Sequence, residues 1–311
     1  MDYEGQICRP PVERSSFMLP VAVGCSYNRC KFCTLFKHLS YRLLPLEQVE
    51  AELKRVRDVG GNPTQVFMGD GNAFAMGTER LLIILGMVRQ YFPACAMVNL
   101  DATVSDISRK TDEELRQLAE AGLKRLYIGI ESGLPDVLDF MRKDHRLEEA
   151  YREIDRLKKA GLVYCAHFMT GIAGRGRGEE NAEQLADFFN KTKPERVINF
   201  SLFLNREAPL YEDIANGIIE PADELENLME AHRLIERIDT ELQYDGFHDA
   251  LGFRIWGRLP RDKAKLLRRL DDKISECRDA ETRYAFDVQV RSVIDRNAHL
   301  AEKQSRQTAY L

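Results

Sequence analysis

The sequence lacks long apolar runs. No uninterrupted apolar stretch reaches the roughly 18 residues that a membrane-spanning helix needs. The first residues also lack the basic region and apolar run of a secretory signal peptide. Neither sign of charge dominates, because 45 Lys and Arg residues face 50 Asp and Glu residues. We therefore expect a cytoplasmic protein that does not enter the membrane.

The composition also has too little glycine, proline and cysteine for several other classes. Its 20 Gly and 11 Pro among 311 residues exclude a collagen-like chain and a low-complexity chain. Seven cysteines are too few for a disulfide-stabilised mini-protein, and a chain of this length buries a core without disulfides. In a reducing compartment, cysteines close in sequence indicate metal or redox chemistry first.

Short apolar runs alternate with helical patterns along most of the chain. Runs begin near residues 18, 65, 95, 124, 162 and 196, and most precede an amphipathic segment such as Leu46 to Val56. Repeated strand and helix units predict a parallel sheet. Six units are fewer than the eight of a complete TIM barrel. The sequence therefore predicts an α/β fold, a partial (β/α)6 TIM-type barrel.

The pattern changes near residue 222. Residues 1–221 are predicted to form the barrel, and residues 222–311 a mostly helical C-terminal cap that lies over or beside it. Apolar and glycine-containing segments near 244–249 and Trp256 interrupt the helical pattern of this extension. The tail after about residue 297 is expected to be flexible.

Three cysteines lie within nine residues, at Cys25, Cys30 and Cys33, directly after the first apolar run. Three thiolates can bind three irons of a cubane cluster, which leaves the fourth iron open for chemistry. Parallel βα barrels carry their active sites on loops at the carboxyl ends of strands, where this loop is expected. The spacing therefore predicts an iron–sulfur site with an open position.

Two other interpretations of these cysteines stay open. His38 follows the last of them by five positions, so a Cys3His zinc site in a binding or scaffold protein without turnover is possible, although the spacing is not a usual zinc spacing. Alternatively, the three are thiols without a metal. The remaining cysteines, Cys8, Cys95, Cys165 and Cys277, are scattered and are interpreted as structural.

The loop Cys25-x4-Cys30-x2-Cys33, with an aromatic Phe32 before the last cysteine, resembles the radical S-adenosylmethionine (radical SAM) superfamily. That family usually has three residues, not four, between its first two cysteines. The resemblance implies a partial barrel, a [4Fe-4S] cluster whose open iron is chelated by S-adenosylmethionine (SAM), and reductive cleavage of SAM to a 5′-deoxyadenosyl radical.

Later segments resemble the family's other motifs in the same order. The resemblance implies that residues 69–72 receive the methionine amino group of SAM and that Glu131 and Ser132 bind its ribose. It implies that Lys143, or alternatively Arg142, approaches the carboxylate, and that Phe32 and residues 171–173 lie beside the adenine, with Asp101 as a further acidic neighbour. The implied SAM-binding residues are Phe32, Gly69, Asp70, Gly71, Asn72, Asp101, Glu131, Ser132, Lys143, Gly171, Ile172 and Ala173. Residue-type chemistry agrees at Asp70, since a carboxylate accepts hydrogen bonds from an ammonium.

Within the superfamily, the chain is most similar to the branch with anaerobic coproporphyrinogen III oxidase, the methylthiotransferases and the elongator catalytic subunit. The resemblance implies a low-potential electron donor such as ferredoxin or flavodoxin, and a radical that abstracts hydrogen from the substrate. A basic segment, residues 253–269, is either an anion site, for a carboxylate-bearing small molecule or a local stretch of RNA, or one basic face of a helix. Modification of tRNA or a peptide is the alternative, although a net charge of −5 gives no global attraction to nucleic acid.

Two inward-facing residues of the fifth predicted strand have open roles. Alternation along the strand places Cys165 and His167 on one face. Cys165 is either a hydrogen-atom donor or a packed core residue, and His167 is either a polar group near the radical or an internally satisfied histidine. Core packing is favoured for both.

Overall fold

The computed structural model describes Glu4 and residues 8–279 of the chain. Its main sheet has eight strands in the order β1, β4, β5, β6, β7, β8, β9, β10. These strands are β1 (Phe17–Pro20), β4 (Gln65–Gly69), β5 (Met97–Ala102), β6 (Leu123–Glu131), β7 (Val163–Thr170), β8 (Arg196–Ser201), β9 (Leu242–His248) and β10 (Phe253–Leu259). All neighbours pair in parallel except β9 and β10. Since β1 and β10 are edges of the described sheet, the barrel is partial, as predicted.

Helices connect successive strands and cover the outer face of the sheet. They are α1 (Leu46–Asp58), α2 (Thr78–Tyr91), α3 (Val104–Ser108), α4 (Asp112–Glu120), α5 (Pro135–Phe140), α6 (Leu147–Lys159), α7 (Gly178–Thr192), α8 (Pro209–Ala215), α9 (Glu224–Arg237) and α10 (Lys263–Asp279). A capping box formed by Thr111 and Glu114 begins α4 and satisfies backbone amides there. Among the described residues, no helix is long and apolar enough to cross a membrane.

The two faces of the sheet pack differently. The outer face and the helices share one large apolar core, which includes Val49 and Leu53 of α1. The inner face carries a smaller cluster of Met18, Phe67, Tyr127, Cys165, Ile198 and Phe247. This inner cluster fills part of the barrel lumen.

The C-terminal region differs in one respect from the predicted cap. It is mostly helical within the described residues, but β9 extends the parallel sheet and β10 forms its antiparallel edge. The segments that interrupted the helical pattern in the sequence are these two strands. The interpretation of residues 253–269 as one helix face is wrong for its first half, because β10 pairs with β9 from Phe253 to Leu259. The predicted flexible tail after residue 297 lies outside the described residues.

Residues 8–16, which we call the N-terminal segment, lie inside the barrel ahead of β1. Val12 packs on the inner apolar cluster. The carboxylate of Glu13 accepts hydrogen bonds from Asn99 (2.9 Å), from the Tyr127 hydroxyl (2.5 Å) and from Ser16. A buried carboxylate with three donors is well satisfied, so this segment is a fixed part of the lumen.

Candidate active site

The cysteine loop lies between two short strands, β2 (Ala22–Val23) and β3 (Arg42–Leu43), that form a hairpin beyond β1. Cys25, Cys30 and Cys33 are half-buried free thiols. Contacts from distant parts of the chain hold the loop: the amide of Lys31 donates to the carbonyl of Met141 at 3.0 Å, and the Tyr27 hydroxyl donates to the carbonyl of Arg142 at 2.6 Å. The loop is therefore fixed against the segment that follows α5.

The donor set suits an iron–sulfur cubane better than a single ion. In the part of the chain that the structure describes, no three Cys, His, Asp or Glu side chains converge as ligands of one metal ion, His38 included. A cubane binds each thiolate through a different iron, so its ligands need not converge on a point. Burial raises the pKa of Cys30 to about 11 and raises that of Cys33. A bound metal favours the thiolate form of a coordinating cysteine.

The loop after β4 packs directly on the cysteine loop. At Gly71, whose φ is +51°, an added Cβ would lie 2.2 Å from the carbonyl oxygen of Gly24 and 3.0 Å from the Cα of Cys25. Only glycine permits this approach. Burial raises the pKa of the neighbouring Asp70 to about 6, although the amides of Gly71 and Cys8 donate to its carboxylate.

Asn72 connects three loops. Its side-chain amide donates to Ser26 of the cysteine loop at 2.9 Å and also to Asp106 of α3. The side-chain oxygen of Asn72 is buried and has no partner in the structure. A buried acceptor without a partner is costly, so this oxygen is available to a ligand donor.

A charged cluster follows the end of β6. The ammonium of Lys143 lies 3.6 Å from Glu131 and 3.5 Å from Asp144. Burial disfavours the charged form of Lys143. The negative charges of Cys30, Glu131 and Asp144 outweigh this effect of burial, so the pKa of Lys143 is raised. Burial raises the pKa of Glu131, and its second carboxylate oxygen has no partner.

The backbone makes room for this cluster. The residue pairing between β6 and β7 shifts after Gly129, and Glu131 adopts a φ of +66°, which non-glycine residues rarely do. A Cβ at Gly129 would lie 2.3 Å from the Glu131 carboxylate and 3.1 Å from the Lys143 ammonium. The missing side chain therefore lets the Glu131–Lys143 pair fold back toward the lumen.

Ser132 and Gly171 share a buried polar network. The Ser132 hydroxyl donates to the side-chain oxygen of Asn181 at 2.7 Å, and the side-chain amide of Asn181 donates to Glu230 at 2.7 Å. The backbone amide of Gly171 donates to the other oxygen of Glu230 at 2.7 Å. This network fixes the ends of β6 and β7 relative to α7 and α9. The sugar contact predicted for Ser132 stays a prediction.

Phe32, Ile172 and Ala173 lie in one apolar cluster with Leu134, Met141 and Leu202. The cluster therefore joins the cysteine loop to the segment after β7. The adenine contact predicted for these residues stays a prediction. Sequence similarity had assigned both segments to the adenine, and the structure brings them together.

Asp101 lies near the end of β5. Burial, together with the charges of Asp70 and Glu13, raises its pKa well above the ordinary value. Burial, with the charges of Asp101 and Asp70, also raises the pKa of Cys8, which the sequence had suggested was structural. Cys8 is therefore a neighbour of the candidate site that sequence reasoning missed, because only the path of the N-terminal segment through the lumen brings it there.

Cys165 and His167 have different surroundings on the inner face. Cys165 is fully buried in the inner apolar cluster, as core packing predicts. His167 lies between the rings of Tyr127 and Phe200, with centroids at 5.7 and 5.9 Å, and its Nε2 atom has no partner. Burial and the charge of Lys143 lower its pKa to about 4, so the imidazole is neutral at pH 7.

Comparison with known proteins decides the family. The radical SAM superfamily model matches residues 19–189, which contain the cysteine loop and strands β4 to β7. The chain belongs to the radical SAM superfamily. The cofactors of this family are a [4Fe-4S] cluster and SAM, so the predicted family and cofactors are confirmed.

Individual relatives cover part of this radical SAM chain. It is 26% identical to biotin synthase of Aquifex aeolicus over 61% of this chain and 55% of the relative. It is 24% identical to tRNA-2-methylthio-N(6)-dimethylallyladenosine synthase of Anaeromyxobacter sp. over 77% of this chain and 55% of the relative. The chain thus spans about half the length of these curated relatives. The methyltransferase TsrM of Kitasatospora setae shares the fold, with a TM-score of 0.52 and 18% identity over 65% of this chain and 39% of TsrM.

The site fits both family cofactors. Three free thiols on one loop match three corners of the cluster. The side-chain oxygen of Asn72 and one carboxylate oxygen of Glu131 are buried without a partner, so both are available to donors of a ligand. Asn72 and Glu131 follow or end strands β4 and β6, so both lie at the carboxyl ends of the parallel strands.

Proposed function

We propose that this chain is an enzyme that uses its [4Fe-4S] cluster and SAM to abstract a hydrogen atom from a small molecule. The observation that carries the proposal is the packing of the loop after β4 on the cysteine loop, with Gly71 against Gly24 and Cys25. The positive charge of Lys143 lowers the pKa of Cys30 and so opposes the effect of burial on this thiol. This arrangement supports a SAM molecule held between the cluster and the ends of the strands.

Each group of the site has a role in this proposal. When bound, the cluster and SAM supply an electron and a 5′-deoxyadenosyl radical. Cys25, Cys30 and Cys33 bind three irons, which leaves one iron for SAM. Asp70 and the oxygen of Asn72 accept from the methionine ammonium, and the positive charge of Lys143 attracts the methionine carboxylate.

The nucleoside half of SAM has its own proposed contacts. Glu131 accepts from the ribose hydroxyls, with Ser132 beside it. The segment Gly171 to Ala173 and the Phe32 position contact the adenine. Asp101, which faces the lumen, stays a neighbour of bound SAM in the proposal. The network through Asn181 and Glu230 supports this half, because it holds both strand ends in one position.

The lumen beside SAM is the proposed substrate site. His167, Met169 and Phe200 are only half-buried although they lie on central strands, so they border open space. A recessed site of this kind keeps water away from a reactive radical. Arg254 is the basic residue proposed to attract an anionic substrate. Its guanidinium lies 4.4 Å from the centre of the Phe247 ring and 3.6 Å from Asp245.

The proposal includes a low-potential electron donor such as ferredoxin or flavodoxin, because reductive cleavage of SAM requires an electron. It also includes a reducing, cytoplasmic setting, since all seven cysteines are free thiols. If nucleic acid is the substrate instead, binding to RNA should weaken steeply as salt is raised.

The test measures 5′-deoxyadenosine. Anaerobically reconstituted protein is reduced with dithionite, incubated with SAM and analysed by mass spectrometry. We expect product from the wild type and from a Cys95→Ala control, which removes a thiol far from the site. Cys30→Ala should lose the visible iron–sulfur absorption and the product. Iron-loaded, reduced wild type that forms no 5′-deoxyadenosine would refute the enzymatic proposal, and colourless protein containing zinc would favour the scaffold interpretation.

A further inference from the structure

Aromatic rings form a row across the inner face of the sheet. His167 of β7 lies between Tyr127 of β6 and Phe200 of β8, with ring centroids at 5.7 and 5.9 Å. Phe200 in turn stacks on Phe247 of β9, with centroids 5.3 Å apart and an angle of 21° between the ring planes. These four rings, which we call the aromatic row, cross four neighbouring strands of the lumen wall.

The aromatic row ends at a cation on the open edge of the barrel. The guanidinium of Arg254 lies over the ring of Phe247, 4.4 Å from its centre, and this cation–π contact holds it at the end of the row. Arg254 belongs to β10, an edge strand of the described sheet, and its side chain is 44% exposed. Part of its set of N–H donors is therefore open to a ligand.

Two arginines share one carboxylate at this end of the row. Asp245 of β9 lies 3.6 Å from Arg254 and also accepts a hydrogen bond from Arg196 of β8. Within the described ion pairs of these three residues, one negative charge faces two positive charges. This corner of the lumen therefore keeps a net positive charge, which attracts an anionic ligand.

The middle of the aromatic row is incompletely covered. His167 and Phe200 are only half-buried, although β7 and β8 are central strands. The Nε2 atom of His167 is buried and has no partner among the residues that the structure describes. A buried imidazole nitrogen without a hydrogen bond is costly, so the row requires a bound molecule that carries a hydrogen-bonding group.

The other end of the row lies on the SAM side of the lumen. His167 pairs in the sheet with Gly129, whose missing side chain leaves room for Glu131 and Lys143. Burial lowers the pKa of His167, and the positive charge of Lys143 lowers it further. The aromatic row therefore runs from the residues proposed to bind SAM to the open edge of the barrel.

We propose that the substrate is a planar aromatic molecule with an anionic group, bound along the aromatic row with its anion at Arg254. This inference rests on the proposed function and names the substrate class of that site. Two strand spacings separate His167 from the ring under Arg254, so the anion lies about 10 Å from His167. The ring end of the substrate then faces SAM, where aromatic side chains attract it by edge and face contacts.

The first experiment separates charge from ring binding. Equilibrium dialysis measures binding of 2-naphthoate, a two-ring carboxylate, and of its uncharged amide, 2-naphthamide, to cluster-loaded protein with SAM. Arg254→Gln should weaken 2-naphthoate binding about tenfold, because a charge-assisted hydrogen bond is lost, and should leave 2-naphthamide binding unchanged. Arg258→Gln is the matched control, since this exposed arginine lies two positions further along the same face of β10.

Phe200→Leu tests the rings. This change keeps an apolar side chain but removes an aromatic contact, so it should weaken both naphthalene compounds about fivefold. Cyclohexanecarboxylate, an anion without an aromatic ring, should bind the wild type and Phe200→Leu equally. Thermal unfolding of the variant checks its fold, and the comparison of Arg254→Gln with Arg258→Gln stands without it.

Proton relaxation tests the orientation. In reduced, cluster-loaded protein, the unpaired electron of the cluster broadens the signals of nearby protons of a weakly bound ligand. The protons on the ring far from the carboxylate of 2-naphthoate should broaden more than those beside it. The reverse order would overturn the proposed orientation.

The results also separate this inference from the proposed function. Wild type that forms 5′-deoxyadenosine but does not bind 2-naphthoate overturns the inference alone, as do equal losses in Arg254→Gln and Arg258→Gln. A loss of 2-naphthoate binding confined to Arg254→Gln, together with weaker ring binding in Phe200→Leu, supports it. If this pattern appears in protein that forms no 5′-deoxyadenosine, the proposed function fails and the site for an aromatic anion stands.

Discussion

The carboxylate of Glu131 lies 3.6 Å from the ammonium of Lys143, and the pair occupies space that any side chain on Gly129 would fill. One oxygen of Glu131 faces Lys143 and the other has no partner. A buried carboxylate is thus held in place by a cation and still has an acceptor left for a ligand. This combination is expected where a polar ligand completes a site.

The first prediction concerns this free oxygen. Glu131→Gln should weaken SAM binding about tenfold, because hydrogen bonds to charged groups contribute about 1.5–3 kcal/mol. Iron content should stay normal, since the cysteine loop is unchanged. Titration calorimetry on cluster-loaded protein measures the effect, and Glu120→Gln on the exposed end of α4 is the control. Unchanged SAM affinity would remove Glu131 from the SAM site.

The second prediction concerns the contact between loops. Gly71→Ala should reduce the iron bound after reconstitution to less than about half, because its Cβ would clash with Gly24 and because its φ of +51° disfavours alanine. Gly77→Ala is a matched control: Gly77 has a φ of −59° and open space around its Cα. Normal iron loading in both variants would show that the two loops need not touch.

The third prediction concerns pH and Glu230. Burial raises the pKa of Glu230 to about 8, above its ordinary value of 4.5, despite hydrogen bonds from Gly171 and Asn181. The folded state therefore binds this proton more tightly than the unfolded state. The resulting stabilisation is complete below pH 4.5 and is lost as pH rises toward 8.

Thermal unfolding of the wild type and Glu230→Gln checks this sign. The wild type should lose stability relative to the variant as pH is raised from 5 to 8, because glutamine does not titrate. Other ionisable groups are common to both proteins and cancel in the difference. A constant or growing advantage of the wild type over this range would contradict the prediction.

The fourth prediction concerns the N-terminal segment. Glu13→Ala should lower the free energy of unfolding by about 3 kcal/mol, because Asn99 and the Tyr127 hydroxyl would remain buried without their acceptor. Urea unfolding measures the change, and Glu120→Ala, on an exposed position, should cost far less. Equal small effects would mean that the segment is not fixed inside the lumen.

Part of the fold was predictable because its signals are local. The apolar runs that predicted β4 and β7 repeat with clear periodicity, and the capping box at Thr111 is visible within four residues. β9 and β10 were not predicted, because Leu242–His248 includes Asp245 and Gly246 in the middle of a short apolar pattern. β9 is held as a strand by pairing with β8, which is distant in sequence, and β10 is held by pairing with β9. Pairing with a distant strand leaves no periodic signal in a segment this short.

The candidate site divides in a similar way. The amino-acid sequence alone determined the three-cysteine loop, the glycine-rich segment after β4 and the family, because thiol chemistry and close backbone approach are written in residue type and spacing. Only the tertiary structure brought Cys8 to the Asp70 loop, Glu230 to Gly171 and Phe32 to Ile172. These contacts join segments far apart in the chain, and their geometry is set by the packing of the whole barrel, which no local pattern encodes.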